Sequence, residues 1–171
     1  AIPLMRGRHK SVPVQDLLDE AGRLVAGGVK ELVLIAQDLT WYGLDVTGAR
    51  QLPHLLDRLS AESGAAWIRL QYAYPGQFPT DILPLVRERS NLCKYLDMPL
   101  QHAADGVLKR MRRGITARQT RQLLQEIRKE VPGIHLRTTM MVGFPGETRE
   151  EFLQLCDFVR EHRFERLGVF T

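Results

Sequence analysis

Residues 135–148 read HLRTTMMV followed by GFPGET: a run rich in β-branched and large apolar side chains, then a two-glycine turn ending on a threonine. A short run of that kind, bounded by turn residues, suits a strand buried in a parallel sheet. Thr148 stands three residues before Glu151, the spacing of a capping box, and Phe152, Leu155, Cys156 and Val159 give the helix that follows an apolar face. Strand, glycine turn and capped helix make one repeating unit of an α/β fold.

Outward from this stretch the same unit recurs. Strands are predicted at Glu31–Ala36 (ELVLIA), Trp67–Tyr72 (WIRLQY), Tyr95–Leu100 (YLDMPL), His135–Val142 and Glu165–Phe170 (ERLGVF). Between them lie helical stripes. Val14, Leu17, Leu18, Ala21, Leu24 and Val25 form the first, stopped by Gly27 and Gly28. Leu52, Leu55, Leu56 and Leu59 form the second, and Ile82, Leu83 and Val86 a shorter third. Val107, Leu108 and Met111 predict a short helix ending near Gly114; Leu123, Leu124, Ile127 and Val131 predict a longer one, capped by Thr116 with Gln119 and stopped by Pro132-Gly133. Strands alternating with helices five times over predict parallel pairing and right-handed crossovers. A complete eight-unit barrel takes about 250 residues, so 171 residues predict a partial (β/α) barrel with outer helices.

Composition sets the outer bounds. With 44% hydrophobic and 26% charged residues the chain is ordinary for a globular domain, neither a disordered tail nor a disulfide miniprotein. No apolar window approaches the roughly 18 residues of a membrane span, and the opening AIPLMRGRHKSVP has no apolar segment behind its charges, unlike a secretory signal. The absence of an initiator Met suggests a cut or processed chain. A net charge of +4 suits RNA, a ribosome or an anionic small molecule without demanding one. Two cysteines, Cys93 and Cys156, cannot form a metal-binding set and point to a reducing, cytoplasmic setting.

In parallel α/β folds chemistry collects where the strands end. Gln37, Asp38, Trp41 and Tyr42 follow the first predicted strand, Tyr72 and Tyr74 close the second, Gln101 and His102 follow the third, and Gly143 to Glu147 the fourth. The GFPGET turn either offers free N–H groups to a carboxylate or phosphate, or is an ordinary turn with a Thr148 cap. It lacks the lysine and glycine spacing of a P-loop or dinucleotide fingerprint. His102 reads as a structural hydrogen-bonding residue. No nucleophile with a base partner and no HExxH are present, so hydrolase chemistry has little support. Cys93, placed before a strand, and Cys156, on an apolar face, are expected to be buried and inert. Two basic clusters, Arg6, Arg8, His9 and Lys10, then Lys109, Arg110, Arg112 and Arg113, are either solvated faces or a docking surface for RNA or a ribosomal partner.

IPLMRGRHKS, ELVLIAQDLTWYG, WIRLQYAYP, YLDMPLQHAADGVLKRMRRG, LRTTMMVGFPGET and RFERLGVFT occur in this order along the whole chain. Together they resemble the radical S-adenosylmethionine domain of the methylthiotransferases. The Ala36-Gln37-Asp38 triplet, Tyr72-Ala73-Tyr74-Pro75 and the C-terminal RFERLGVFT are similar to the branch acting on a ribosomal protein; the tRNA-modifying branch typically reads GQN in place of AQD. The resemblance implies addition of a methylthio group to the β-carbon of an aspartate in a small-subunit ribosomal protein. It also implies S-adenosyl-L-methionine and two 4Fe-4S clusters. Cluster cysteines would precede IPLMRG in a CxxxCxxC loop, so residues 1–171 are expected to be a core lacking its first strand, its cluster loop and the flanking N-terminal methylthiotransferase and C-terminal TRAM-like domains. The piece alone is then catalytically inactive. By the same resemblance Gln37 and Asp38 lie where the cosubstrate's amino group is held, Gln101 and Arg137 near its ribose and carboxylate, and Val142, Gly143 and Phe144 beside its adenine. On electrostatic grounds Arg137 could equally form an interior ion pair, with Asp97 or Glu165. The rim aromatics Trp41, Tyr42, Tyr72 and Tyr74 either face the protein substrate or pack the loops. A non-catalytic RNA- or ribosome-binding module is the alternative from another class.

Overall fold

The computed structural model of the chain describes Gly7 and residues 9–171. Five strands, β1 (Glu31–Ile35), β2 (Trp67–Gln71), β3 (Leu92–Asp97), β4 (His135–Met141) and β5 (Arg166–Phe170), form one sheet in the order β1-β2-β3-β4-β5. All four pairings are parallel. Doubly wound sheets reverse their strand order at a switch point; here each strand is laid beside its predecessor, the order of a (β/α) barrel. The sheet does not close, as 171 residues led us to expect.

Among the described residues seven helices flank the strands: α1 (Val14–Ala26), ahead of β1, then the one-turn α2 (Leu44–Thr47), α3 (Leu52–Glu62), α4 (Leu83–Glu88), α5 (Asp105–Arg110), α6 (Ala117–Glu130) and α7 (Arg149–His162). Both predicted capping boxes are present. Thr116 and Thr148 each accept from the backbone of the third helical residue, and Gln119 and Glu151 reach back to the cap N–H. Such caps contribute about 1 kcal/mol each. α1 stops at Gly27 and Gly28, the latter at φ +98°, a left-handed conformation that glycine adopts without steric cost.

Burial divides the sheet into two faces. Leu32, Ile68, Leu70, Leu92, Leu96, Leu136 and Met140 are buried together with Leu56, Leu59, Leu83, Leu124, Ile127, Leu155 and Phe158 from the helices. The alternate residues stay accessible: Ile35 is 71% exposed, and Val33, Trp67 and Phe170 are exposed as well. Helices therefore cover one face, and the other is the open inner side of the partial barrel.

Several boundaries and faces differ from expectation. β3 runs from Leu92 to Asp97 rather than from Tyr95 to Leu100, because Pro99 has no N–H for a ladder. Cys93 consequently lies inside the strand, half-buried rather than buried; Cys156 on α7 is half-buried too. On α7 the buried residues are Leu155, Phe158 and His162, whereas Phe152 is exposed, and Leu24 of α1 is likewise exposed. Phe158 has no exposed surface, lies 4.3 Å from the His162 ring centroid, and carries the Arg121 guanidinium at 5.1 Å.

Two outcomes follow for α7. Phe158→Ala is expected to cost about 3–5 kcal/mol of unfolding free energy in urea titration, whereas Phe152→Ala at its exposed position changes it by less than about 1 kcal/mol. His162 is buried with no hydrogen-bond partner for Nε2. Burial holds its imidazole below the ordinary range, the Arg121 and Arg128 charges push the same way, and Glu161 opposes them. The unfolded chain therefore takes up a proton that the folded chain refuses, so this group's contribution to stability is lost as pH falls below about 6.5. Denaturation curves at pH 7.5 and 5.5 should show that loss, and His162→Gln should flatten it.

Candidate active site

The carboxyl ends of β1, β3 and β4 share one rim, because every strand runs in the same direction. Past β1, Gln37 is exposed and Asp38 half-buried. Asp38 Oδ1 accepts from the Thr40 backbone N–H at 2.9 Å and from the Thr40 hydroxyl at 2.8 Å, capping the single 3₁₀ turn Leu39–Trp41. One oxygen of this carboxylate is thus committed to shaping the loop.

Past β3, Gln101 lies beyond the strand, in an isolated parallel bridge to Met140. Its N–H donates to the Thr139 carbonyl at 2.9 Å, and its carbonyl accepts from Met141 N–H at 2.8 Å. This geometry holds Gln101 at φ +72°, left-handed for a residue with a Cβ. Arg137, at mid-height on β4, is level with Asp97 of β3 in the parallel register. Its Nη1 donates to Asp97 Oδ1 at 2.8 Å; Asp97 is 2% exposed at the side chain and Arg137 41%. The interior ion pair is therefore present, with Asp97 and not Glu165, which pairs with Arg128 at 3.0 Å. The guanidinium's remaining donors stay accessible, so the pair does not exhaust them.

Past β4, the turn ends in the expected Thr148 cap, and Glu147 adds a further contact. The N–H groups of Gly143 and Phe144 are not free: both donate to Glu147 Oε2, at 2.5 and 3.1 Å. Glu147 Oε1 lies 3.1 Å from His102 Nε2, and His102 Nδ1 accepts from Ala104 N–H at 3.0 Å. Since Nδ1 accepts, the ring proton sits on Nε2 and is donated to Glu147. His102 is structural, as expected. Its partner, 45 residues away, carries no sequence signal of its own.

The seven predicted residues do not converge on one cavity. Val142, Gly143 and Phe144 line a hollow of about 560 Å³ beside the start of α7. Asp38 borders a separate, mostly apolar cleft of about 510 Å³ between α1 and β1. Arg137, on the open face, and Gln37 and Gln101, at the rim, line neither hollow.

The remaining rim residues separate by contact. Tyr42 donates its hydroxyl to the Val12 carbonyl at 2.7 Å, and Tyr74 accepts from Gly114 N–H at 3.1 Å with Arg113 stacked 4.7 Å from its ring; these two pack loops. Trp41 and Tyr72 are exposed. In the second basic cluster Arg110 pairs with Glu151 at 2.7 Å and Arg113 donates to the Pro99 carbonyl at 2.6 Å, leaving Lys109 and Arg112 exposed. Of the first cluster, Arg6 and Arg8 lie outside the described residues. His9 Nε2 is 3.3 Å from the Ser11 hydroxyl, which donates to Asp45 at 2.5 Å.

The donor set does not fit an iron–sulfur cluster. Such clusters need several thiolates; this chain has Cys93 on β3, its thiol raised by burial, and Cys156 on α7. Among the described residues no three His, Cys, Asp or Glu gather in a metal-binding arrangement, and no helix is long and apolar enough to cross a membrane.

Comparison with known proteins agrees with this architecture. The ribosomal protein uS12 methylthiotransferases RimO of Porphyromonas gingivalis and Chloroherpeton thalassium are 59% and 61% identical over all 171 residues, and that of Bacteroides fragilis 53%. The chain spans about two fifths of their length, 39–40%. Among solved structures, the radical S-adenosylmethionine methyltransferase TsrM of Kitasatospora setae superposes on 96% of this chain with TM-score 0.70 at 18% identity, the chain covering 31% of it. The Escherichia coli coproporphyrinogen III oxidase HemN, a radical SAM enzyme, superposes on 92% with TM-score 0.64 at 20% identity, 37% of that protein being covered. At those identities the likeness speaks for the fold alone. The model of the Radical SAM superfamily matches residues 2–159. A match running from before α1 into α7 takes in nearly every strand and crossover described above, and the chain belongs to the radical SAM superfamily.

Proposed function

We propose that residues 1–171 are the core of a radical S-adenosylmethionine methylthiotransferase that adds a methylthio group to the β-carbon of an aspartate in the small-subunit ribosomal protein uS12. The observation carrying this reading is the 53–61% identity to uS12 methylthiotransferases over all 171 residues. The cluster-binding cysteines, the N-terminal methylthiotransferase domain and the TRAM-like domain are assigned to sequence outside this core. A ribosomal substrate puts the enzyme in the cytoplasm. The exposed Lys109 and Arg112 would meet RNA phosphates there, and Trp41 and Tyr72 the protein substrate.

The chemistry of these side chains suits S-adenosylmethionine, although they border no common cavity. The open edge of the Arg137 guanidinium suits its carboxylate, since arginine's planar donors match that group. Gln101 would meet the ribose hydroxyls, Gln37 and Asp38 the ammonium, and the Val142–Phe144 backbone the adenine. Held by these residues, S-adenosylmethionine would supply methyl-transfer and radical chemistry at the rim. Asp97 holds Arg137 at a fixed height on the open face, so the donor edge does not have to be ordered when the ligand arrives.

Mass spectrometry of ribosomal proteins from a deletion strain tests the reaction. A methylthio mass missing from uS12 is expected; its loss only from tRNA bases overturns the reading. Arg137→Met, made in the protein expressed from its complete gene, should weaken S-adenosylmethionine binding at least tenfold. It should also cost roughly 1–3 kcal/mol of stability by leaving Asp97 buried and unpaired. Arg137→Met with Asp97→Leu should recover the stability and not the binding, which separates the two roles of this arginine.

A further inference from the structure

We propose that His102 and Glu147 are positioning residues that lock two rim loops together and so fix the surface on which an adenosyl group is held; this rests on the reading of the rim given above. The pair sits behind the candidate ligand contacts rather than among them. The His102 ring is 0% exposed and the Glu147 carboxylate 5%, so neither presents itself to a ligand. What each touches is the backbone of a loop that does. Glu147 Oε2 gathers the N–H groups of Gly143 and Phe144, which converge because Gly143 is at φ +72°; successive N–H groups turned to one point form an anion-binding nest. Filling that nest from within the chain fixes the turn and leaves it unable to take a ligand's phosphate or carboxylate there, in keeping with a neutral base lying beside it.

The other carboxylate oxygen reaches across to the β3 exit. His102 donates to it at 3.1 Å and accepts from Ala104 at 3.0 Å, so the ring is held at both nitrogens. Gln101 is then pinned between two bridges. On one side its backbone is bonded to Thr139 and Met141 of β4, and on the other its neighbour's ring is bonded to the β4–α7 turn. The left-handed backbone of Gln101, unfavourable for a residue with a Cβ, persists only while both bridges stand. Release of the imidazole–carboxylate contact should therefore disturb Gln101 and Val142–Phe144 together, without touching the helix-covered core.

The geometry supplies its own controls. His102→Asn can still accept from Ala104 N–H, but its amide N–H groups stop short of the position from which Nε2 reaches Glu147. His102→Gln can place an amide N–H where Nε2 stood. In the protein expressed from its complete gene, with its cluster loaded, His102→Asn is expected to weaken binding of S-adenosylhomocysteine in equilibrium dialysis about tenfold. It should raise the KM for S-adenosylmethionine by a similar factor with kcat within about threefold, and speed amide exchange about tenfold in residues 141–148 and 101–104 alone. His102→Gln should restore all three to within about threefold, and Glu147→Gln, which removes the charge and one acceptor, should resemble His102→Asn. Combining His102→Asn with Glu147→Gln should add little to either alone. If the wild type binds S-adenosylhomocysteine and His102→Asn binds it equally well, or if exchange rises throughout the chain, the positioning role is overturned. If the wild type does not bind the probe at all, the adenosyl reading of the rim fails and this role falls with it.

Discussion

Parallel pairing in chain order is the constraint from which the rest of the molecule follows. Five strands laid side by side in one direction bring every carboxyl end to the same rim, and the core-forming helices bury one face of the sheet. The opposite face must then be furnished by alternate side chains alone. It is laced by polar contacts between neighbouring strands: Glu31 of β1 with Arg69 of β2 at 2.5 Å, Arg69 over the Tyr95 ring of β3 at 4.8 Å, and Asp97 of β3 with Arg137 of β4. An arginine at mid-height on an open concave face is therefore a product of register, and its availability to an anion follows from the exposure of that face.

The features legible in the sequence were those written locally. Capping boxes are complete within four residues, so Thr116 and Thr148 announce their helices without knowledge of any partner. Strand positions were readable from short apolar runs, except where Pro99 tempted the reading past the true end of β3. Faces of helices were harder. The arcs through Phe152 and through Phe158 on α7 are both apolar, and only packing into the core, with His162 and Phe164 alongside, decides which is buried. The coupling of His102 to Glu147 was out of reach for the same reason. Nothing in either residue's neighbourhood names the other, and the two meet only because β3 and β4 are adjacent.

Residue types that suggest function by their concentration at the rim turn out to be divided. Tyr42 and Tyr74 spend their hydroxyls on loop backbone, and Arg110 and Arg113 serve as ties to Glu151 and Pro99. Trp41, Tyr72, Lys109 and Arg112 remain exposed. A basic or aromatic cluster is thus a mixed population, and its net charge or ring count overstates what a partner would meet.

The two margins of the sheet carry a further implication. Among the described residues β1 and β5 each pair on one side only, and each shows exposed apolar side chains: Val33 and Ile35 on one, Leu167 and Val169 on the other. A strand added at either margin would pair in parallel geometry with the edge strand it met, while the loops that follow β3 and β4 stay centrally placed. The fold can thus lengthen or associate at its flanks without re-registering its middle, so the pair that ties Gln101 to the glycine turn is insulated from whatever is built on either side.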